Sequence, residues 1–364
     1  MTLRKYDTTS VKQDLFSTRD YANECKFYRG LVDSISGSTF VLNGYNCSLR
    51  VLNDALAVRP GSVTGELHDP LLFYRGTNSI RQIVITSNSG NISLDALYWC
   101  RDQGISLLLL DGHGNQVYSI VPESKDAAPL RRKQYLASSS PTEIAKSIVQ
   151  AKTLSQYETA SKHAELRNQA QLVDILEAAL IELDQDDYHF RDMDSLRAYE
   201  GRLAAAYFDS FMGLPIKWIA VDVKKIPPHW KAVTERSSPL SSNARHAINP
   251  FHAALNYMYT VVEHQILCSI HAAGLDPACG FLHADKVNRD SLVYDLIEPI
   301  RAQIDDEVLS FFAKTTLKKG DLVPQRTGAI LFNAEFARYL LASCNIRSWN
   351  GDNVVNWFKS LLDG

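Results

Sequence analysis

Residues 142–183 read TEIAKSIVQAKTLSQYETASKHAELRNQAQLVDILEAALIEL, and this stretch decides the class of fold. Apolar residues recur along it at helical spacing, as at Ile144, Ile148, Ala151 and Leu154. Such spacing places these side chains on one face of a helix. The stretch therefore predicts one long helix or two shorter ones, and from about residue 141 onward the chain is expected to be mainly helical.

The chain before residue 121 has a different pattern, in which short β-branched and apolar runs alternate with turns. The predicted strands lie at 38–43, 48–52, 71–74, 82–85, 105–110 and 116–120. One helix is predicted among them, with Ser93 as its N-cap and Gly104 just beyond its C-terminus. His113 stands between two glycines in a turn, so we interpret it as an exposed turn residue and not as a ligand.

A polar, serine-rich segment separates these two patterns and is the one marked shift in composition. We therefore predict an α+β protein with a small β-rich N-terminal domain at residues 1–125. A linker at 126–140 is predicted to follow, and a larger all-α domain at 141–364.

Composition excludes several classes of protein. The chain has no run of 18 apolar residues, so no transmembrane helix is expected, and its first residues do not resemble a signal peptide. The six cysteines are scattered without a C-x-x-C pair, which predicts free thiols in a reducing cytoplasm. The formal net charge is −3, so contacts with nucleic acid would need a local basic face.

Three segments of the helical half carry the candidate functional residues. Glu200 follows a predicted cap at Asp194, and His283 follows a loop broken by glycine and proline. Asp295 and Glu298 lie one turn apart, opposite an apolar stripe on a predicted helix. Taken singly, each segment favours an ordinary structural or exposed residue. If the two acids bind a metal, this pattern predicts a site on the outer surface of the helix, facing a groove.

Four motifs give these segments a common meaning when they are taken together. Their order and spacing agree with one family, and they are YEGRLAAAY at 199–207, NPFHAALNYMY at 249–259, AGLDPACGFLH at 273–283 and NRDSLVYDLIEPIR at 288–301. The sequence resembles the CRISPR-associated integrases, the Cas-one family of the spacer-acquisition module. Weaker similarity at Arg132, Tyr135 and 148–152 extends the resemblance over about residues 80–360.

The resemblance implies a β-rich N-terminal domain, an α-helical catalytic domain and a homodimer. It implies that Glu200, His283 and Glu298 bind Mg²⁺ or Mn²⁺, with Asp295 as a further active-site acid. It also places Arg289 and Arg301 at basic positions near the DNA, and we expect these two and Lys286 to contact phosphates of double-stranded DNA, both the prespacer and the CRISPR repeat. Ordinary surface charge is the alternative for all three. The small second Cas protein of the adaptation complex is an expected partner.

The chain departs from the family pattern at two motif positions and in its lead-in. Residues 249–252 are Asn-Pro-Phe-His where relatives usually have Asp-Pro-x-Asn, and Glu298 stands where many have aspartate. Either carboxylate can bind a hard cation. The first 75 residues match least, and a different dimer or partner surface could lie there.

Three other functions stay open on the sequence alone. A casposase-like transposase would share the catalytic domain, although no extra DNA-binding helices are evident after Asn353. A catalytically silent DNA-binding scaffold would be expected to have lost some of the polar site residues. An unrelated all-α metal phosphohydrolase would not explain the similarity over 273–301.

Overall fold

The computed structural model describes residues 35–36, 39–42, 46–61, 69–78, 80–87, 89–111, 114–124, 126–185, 190–236, 246–283, 287, 289–344 and 351–363. Most of the lead-in, His113 and Lys286 lie outside these ranges. The chain divides into two compact units, one formed by residues 1–122 with 331–348 and the other by 123–330 with 349–364.

The first unit contains two sheets. Its strands are β1 (Ile35–Ser36), β2 (Thr39–Leu42), β3 (Cys47–Leu52), β4 (Ala55–Arg59), β5 (Leu71–Phe73), β6 (Gln82–Ile85), β7 (Gly90–Ile92), β8 (Ser106–Leu110) and β9 (Gln116–Ile120). One sheet has the order β1-β2-β6-β8-β9 and the other β5-β4-β3-β7. Parallel pairs join β2 to β6, β6 to β8 and β3 to β7. The sequence thus predicted most strands of a β-rich unit correctly.

Helix α1 (Leu94–Asp102) packs within this unit and confirms the predicted caps. The Ser93 side chain accepts a hydrogen bond from the Ala96 N–H, and Gly104 has φ +66°, which ends the helix. Trp99 is fully buried in the core with Phe40, Leu49 and side chains of both sheets.

The second unit is helical, as the sequence predicted. Its helices are α2 (Ala128–Ser138), α3 (Thr142–Lys162), α4 (Gln169–Asp184), α5 (Met193–Asp209), α6 (Pro250–Ala273) and α7 (Ser291–Lys314). The stretch 142–183 forms two helices because the chain turns at Asn168, whose φ is +52°. Helices α3, α6 and α7 pack side by side and form the framework of the candidate site.

The chain differs from the predicted division in two places. Residues 126–140, predicted as a linker, contain helix α2. The Gln134 side chain of this helix is completely buried, so the segment packs as part of the helical unit. Near the C-terminus the chain forms the short strands β10 (Leu322–Pro324) and β11 (Ile330–Phe332) and helices α8 (Ala334–Ser343) and α9 (Gly351–Asp363). Helix α8 belongs to the first unit, whereas α9 belongs to the second.

Among the helices of the described residues, none combines the length and the apolar character that crossing a bilayer requires.

Candidate active site in the helical unit

Three helices bring a lysine and two glutamates together. Lys152 comes from α3, Glu200 from α5 and Glu298 from α7. The Lys152 ammonium nitrogen lies 2.5 Å from Oε2 of Glu298 and also contacts Oε1 of Glu200. The two predicted carboxylates therefore converge on one point, and at that point stands a cationic nitrogen.

The cluster is buried on one side and open on the other. The side chains of Lys152 and Glu298 are 9% and 3% exposed. That of Glu200 is 21% exposed. Burial alone lowers the pKa of the Lys152 ammonium, but Glu298 and Glu200 outweigh it and leave that pKa raised. Burial likewise opposes ionisation of Glu298, yet Lys152 and Arg301 hold its pKa at about 2. The site is therefore a charged cluster with Glu200 at its open side.

Arg301 completes the charge balance of the buried glutamate. Its Nη1 donates to Oε1 of Glu298 at 2.7 Å, and its guanidinium carbon lies 4.5 Å from the centre of the Tyr259 ring. Burial alone lowers the pKa of Arg301, whereas Glu298 and neighbouring acidic groups leave it raised. Each buried carboxylate oxygen of Glu298 thus faces a cation, as burial of a charge requires.

His283 is oriented by Asp295. Its ring nitrogen Nδ1 lies 2.7 Å from Oδ1 of Asp295, a carboxylate that is completely buried. The same carboxylate accepts backbone N–H bonds from Phe281 at 2.5 Å, Leu282 at 3.1 Å and His283 at 2.9 Å. Because a carboxylate can only accept, Nδ1 keeps its hydrogen and donates it to Asp295, so in the neutral imidazole the lone pair is on Nε2, the nitrogen available to a ligand.

The loop before His283 fits closely against α7. A Cβ atom on Gly280 would come within 2.6 Å of the Ser291 Cβ and 3.2 Å of Oδ2 of Asp295. Only glycine therefore lets the loop approach near enough for its N–H groups to reach the Asp295 carboxylate.

Two side chains from other helices hold this loop in place. The buried Gln134 amide of α2 donates to the carbonyls of Asp276 at 2.8 Å and Cys279 at 3.1 Å, and it accepts from the Asp276 N–H at 2.9 Å. Arg197, one turn before Glu200 on α5, donates to the Leu282 carbonyl at 2.8 Å. The two helices that flank the loop thus fix the position of His283.

The prediction that the acids of α7 lie on an exposed outer surface is wrong. Asp295 and Glu298 are 0% and 2% exposed. The helix is packed on both sides, for example by the Thr159 hydroxyl of α3, which donates to the Ala302 carbonyl at 2.9 Å. Its polar face is therefore buried, and backbone N–H groups, Lys152 and Arg301 satisfy the two carboxylates there.

The remaining predicted residues have different outcomes. The guanidinium carbon of Arg289 lies 4.8 Å from the centre of the Tyr294 ring, close to the start of α7. Lys286 is outside the described residues, and a role for Arg289, Arg301 or Lys286 in DNA contact stays a prediction.

Residues 249–252, where the sequence departs from the family pattern, have structural roles at the start of α6. The Asn249 side chain caps this helix, and His252 is buried with its Nε2 2.9 Å from the Thr234 carbonyl oxygen.

The donor set fits a divalent cation, although the positions seen are not those of a metal-bound site. Over the ranges described above, no three His, Cys, Asp or Glu side chains are grouped closely enough to hold a metal ion. In the arrangement seen, the Lys152 ammonium stands between Glu200 and Glu298. Two carboxylates and an imidazole nitrogen suit Mg²⁺ and, better, Mn²⁺.

The sequence reasoning missed the role of three residues in this arrangement, namely Lys152, Gln134 and Arg197. A signal for Lys152 is present in the sequence, because it lies four residues after the apolar Ile148 and therefore on the same helix face. A lysine on an apolar face needs an anionic partner. No comparable pattern marks Gln134 or Arg197, whose partners are backbone carbonyls of a distant loop.

The fold and the site together define a two-unit protein whose helical unit holds a cluster of Lys152 with two glutamates and a His283–Asp295 pair. Residues 42–345 match the family model described as CRISPR associated protein Cas1. The chain belongs to the Cas1 family. The match begins at residue 42, further towards the N-terminus than the motifs alone indicated.

Curated relatives and solved structures agree with this assignment. The chain is 30% identical to the CRISPR-associated endonuclease Cas1 2 of Rhodospirillum rubrum, over 67% of this chain and 69% of the relative. It is 26% identical to the endonuclease Cas1 1 of Archaeoglobus fulgidus, over 72% and 76%. Its fold is similar to a casposase bound to an integration product, with a TM-score of 0.66, 21% identity and 89% and 87% of the two chains covered. A Cas1 protein from Thermotoga maritima gives 0.65, 13% identity and 89% and 97%.

Proposed function

We propose that this chain is a metal-dependent DNA endonuclease and integrase of CRISPR adaptation. It would join the 3′-hydroxyl ends of a short prespacer duplex to the boundary of a CRISPR repeat by transesterification. The observation that carries the proposal is the convergence of Glu200 and Glu298 on one cationic position, in a unit where Asp295 orients His283. Family membership supports it, since relatives carry the name endonuclease.

Each residue of the site would have a separate role. Glu200, Glu298 and Nε2 of His283 would hold Mg²⁺ or Mn²⁺, and a bound cation supplies Lewis acidity at the scissile phosphate and orients the attacking hydroxyl. Asp295 holds the imidazole in the tautomer that leaves Nε2 free. Arg301 keeps Glu298 ionised. Glu200 and His283, which are 21% and 30% exposed, mark the side from which DNA would enter.

The proposed partners are duplex DNA, a second copy of the chain and the small second Cas protein. Fold similarity supports the last of these, because one similar structure is a Cas6-RT-Cas1–Cas2 complex, with a TM-score of 0.63 and 15% identity over 90% of this chain and 35% of the other.

A strand-transfer assay tests the proposal. A labelled short duplex, a plasmid bearing a CRISPR repeat and Mn²⁺ are expected to give joined product with the wild-type chain and none with EDTA. Glu200→Ala and His283→Ala are expected to abolish joining, whereas Glu177→Ala, at an exposed glutamate of α4, is expected to leave it intact. Full joining by both site variants would overturn the site assignment.

A casposase-like transposase is the second candidate, favoured by the fold similarity to a casposase. The fold does not separate the two functions, because the Thermotoga Cas1 matches nearly as well. The sequence match to the Cas1 family favours CRISPR adaptation. A plasmid without the repeat is the discriminating substrate, since equal joining to it with a transposon end as donor would favour the transposase.

A further inference from the structure

The position of Lys152 indicates how the proposed site would bind its cation. The ammonium group is on α3, and it is paired at 2.5 Å with Glu298 of α7 and in contact with Glu200 of α5. These carboxylates are two of the three groups proposed to bind the metal. The ammonium therefore lies where a cation bridging the two carboxylates would have to lie.

Lys152 lies in largely buried surroundings. Its side chain is only 9% exposed, so it contributes little to the protein surface. Its immediate helical neighbours Val149 and Thr153 are buried, as is Ile148 one turn before it. An unpaired ammonium in such surroundings would be costly, and so would two unpaired carboxylates. The lysine and the glutamates are thus stable together only as a charge-balanced group.

The charges around the site disfavour a second cation while the ammonium stays. Lys152 and Arg301 supply two positive charges, and Glu200, Glu298 and Asp295 supply three negative ones. A divalent ion added beside the ammonium would leave this group with an excess of positive charge in a partly buried site. It would also meet the ammonium at close range, where like charges repel strongly.

We propose that Lys152 is a place-holding cation, whose ammonium occupies the metal position between Glu200 and Glu298 and must leave it when a divalent ion binds. The inference rests on the proposed metal-dependent function. It makes Lys152 a residue that sets metal affinity, and it gives the buried Glu298 and the partly exposed Glu200 a shared cationic partner.

Calorimetric titration with MnCl₂ at fixed pH tests the inference. Lys152→Met removes the competing charge while keeping the length of the side chain, so it is expected to bind Mn²⁺ on the order of tenfold more tightly than wild type, or better. Lys152→Arg keeps a cation in place and is not expected to bind more tightly than wild type. Lys162→Met is the matched control on α3, because Lys162 pairs with Asp306 outside the site, and its affinity is expected to equal that of wild type.

A melting measurement adds a readout that does not depend on activity. Metal-free Lys152→Met is expected to melt below wild type, since Glu200 and Glu298 lose their shared partner. Added Mn²⁺ is expected to raise its Tm by more than it raises that of wild type. If Lys152→Met does not fold, Lys152→Gln, which keeps a hydrogen-bond donor for the carboxylates, is expected to show the same direction.

The outcomes separate this inference from the proposed function. Equal or weaker Mn²⁺ binding by the uncharged variants would overturn the place-holding role alone, provided that binding to wild type depends on His283. If neither wild type nor the variants bind Mn²⁺, the proposed metal site and the role of Lys152 both fail.

Discussion

Nδ1 of His283 lies 2.7 Å from Oδ1 of Asp295, and the same carboxylate accepts the backbone N–H of His283 at 2.9 Å. Asp295 therefore fixes both the ring and the main chain of the histidine. This double attachment makes Asp295 a positioning residue of the site, because its own oxygens are committed to the loop.

Asp295→Asn is the first prediction. The asparagine amide carries no negative charge, so it accepts the Nδ1–H hydrogen bond only weakly and no longer fixes the tautomer and orientation of His283. Metal affinity and strand transfer are therefore expected to fall by about 10–100-fold. Titration with Mn²⁺ and the joining assay measure the two effects. Asp290→Asn, at an exposed position just before α7, is the control. Wild-type Mn²⁺ affinity in Asp295→Asn would contradict the positioning role.

Two glycines near the site are predicted to respond oppositely to alanine. At Gly280 a Cβ would come within 2.6 Å of the Ser291 Cβ, so Gly280→Ala is expected to cost about 1–3 kcal/mol of folding free energy. At Gly201, within α5, a Cβ would meet no described atom within 4 Å. Gly201→Ala is therefore expected to stabilise the helix, by up to about 1 kcal/mol. Urea denaturation of both variants measures the difference, and equal effects would count against the close approach of the loop to α7.

The buried amide of Gln134 is predicted to contribute to stability and to the site together. Gln134→Leu leaves the carbonyls of Asp276 and Cys279 and one N–H without their partner, which is expected to cost about 1–3 kcal/mol. Lys133→Ala, on the exposed face of the same helix, is expected to change little, because its pair with Asp363 is exposed to solvent. Urea unfolding checks both, and an unaffected Gln134→Leu variant would contradict the role of α2 in holding the loop.

Stability is predicted to depend on pH through His163. Its ring nitrogens lie 2.7 Å from Asp306 and 2.8 Å from Glu165, and these contacts, led by the one to Asp306, raise its pKa above the ordinary 6.5. A raised histidine pKa means that the stabilisation is fully present below pH 6.5 and is lost as the pH rises through the raised value.

The test compares the free energy of unfolding of wild type and His163→Gln from below pH 6.5 to above the raised pKa of His163. The difference between the two proteins is expected to be largest at the acidic end and to shrink as the pH rises. A difference that is constant with pH would show that the protonated imidazole contributes nothing.

Local sequence signals predicted much of the first unit. Ser93 and Gly104 gave the bounds of α1, since capping depends on adjacent residues only. Strand β4 was missed, although Asn53 and Asp54, with φ of +49° and +62°, form the tight turn that pairs it with β3. The Asn53-Asp54 pair is recognisable in the sequence as a hairpin turn, so the sequence does indicate a strand after it.

The sequence proposes residues for the candidate site but does not predict their environment. Glu200, His283, Asp295 and Glu298 came from motifs whose meaning depended on their combination. Periodicity assigned Glu298 to an exposed surface because it describes one helix alone. The burial of Glu298 arises from packing of α3 and α6 around α7, and its charge is neutralised by Lys152 of α3 and by Arg301, one turn further along α7.

The central claim is that Glu200, His283 and Glu298 bind one divalent cation. The most direct measurement is the anomalous scattering of Mn²⁺ in crystals of the wild-type chain soaked with MnCl₂. The account predicts a peak within about 2.5 Å of a carboxylate oxygen of each glutamate and of Nε2 of His283, with the Lys152 ammonium displaced. A peak elsewhere, or none among these residues in crystals of protein that binds Mn²⁺ in solution, would contradict it.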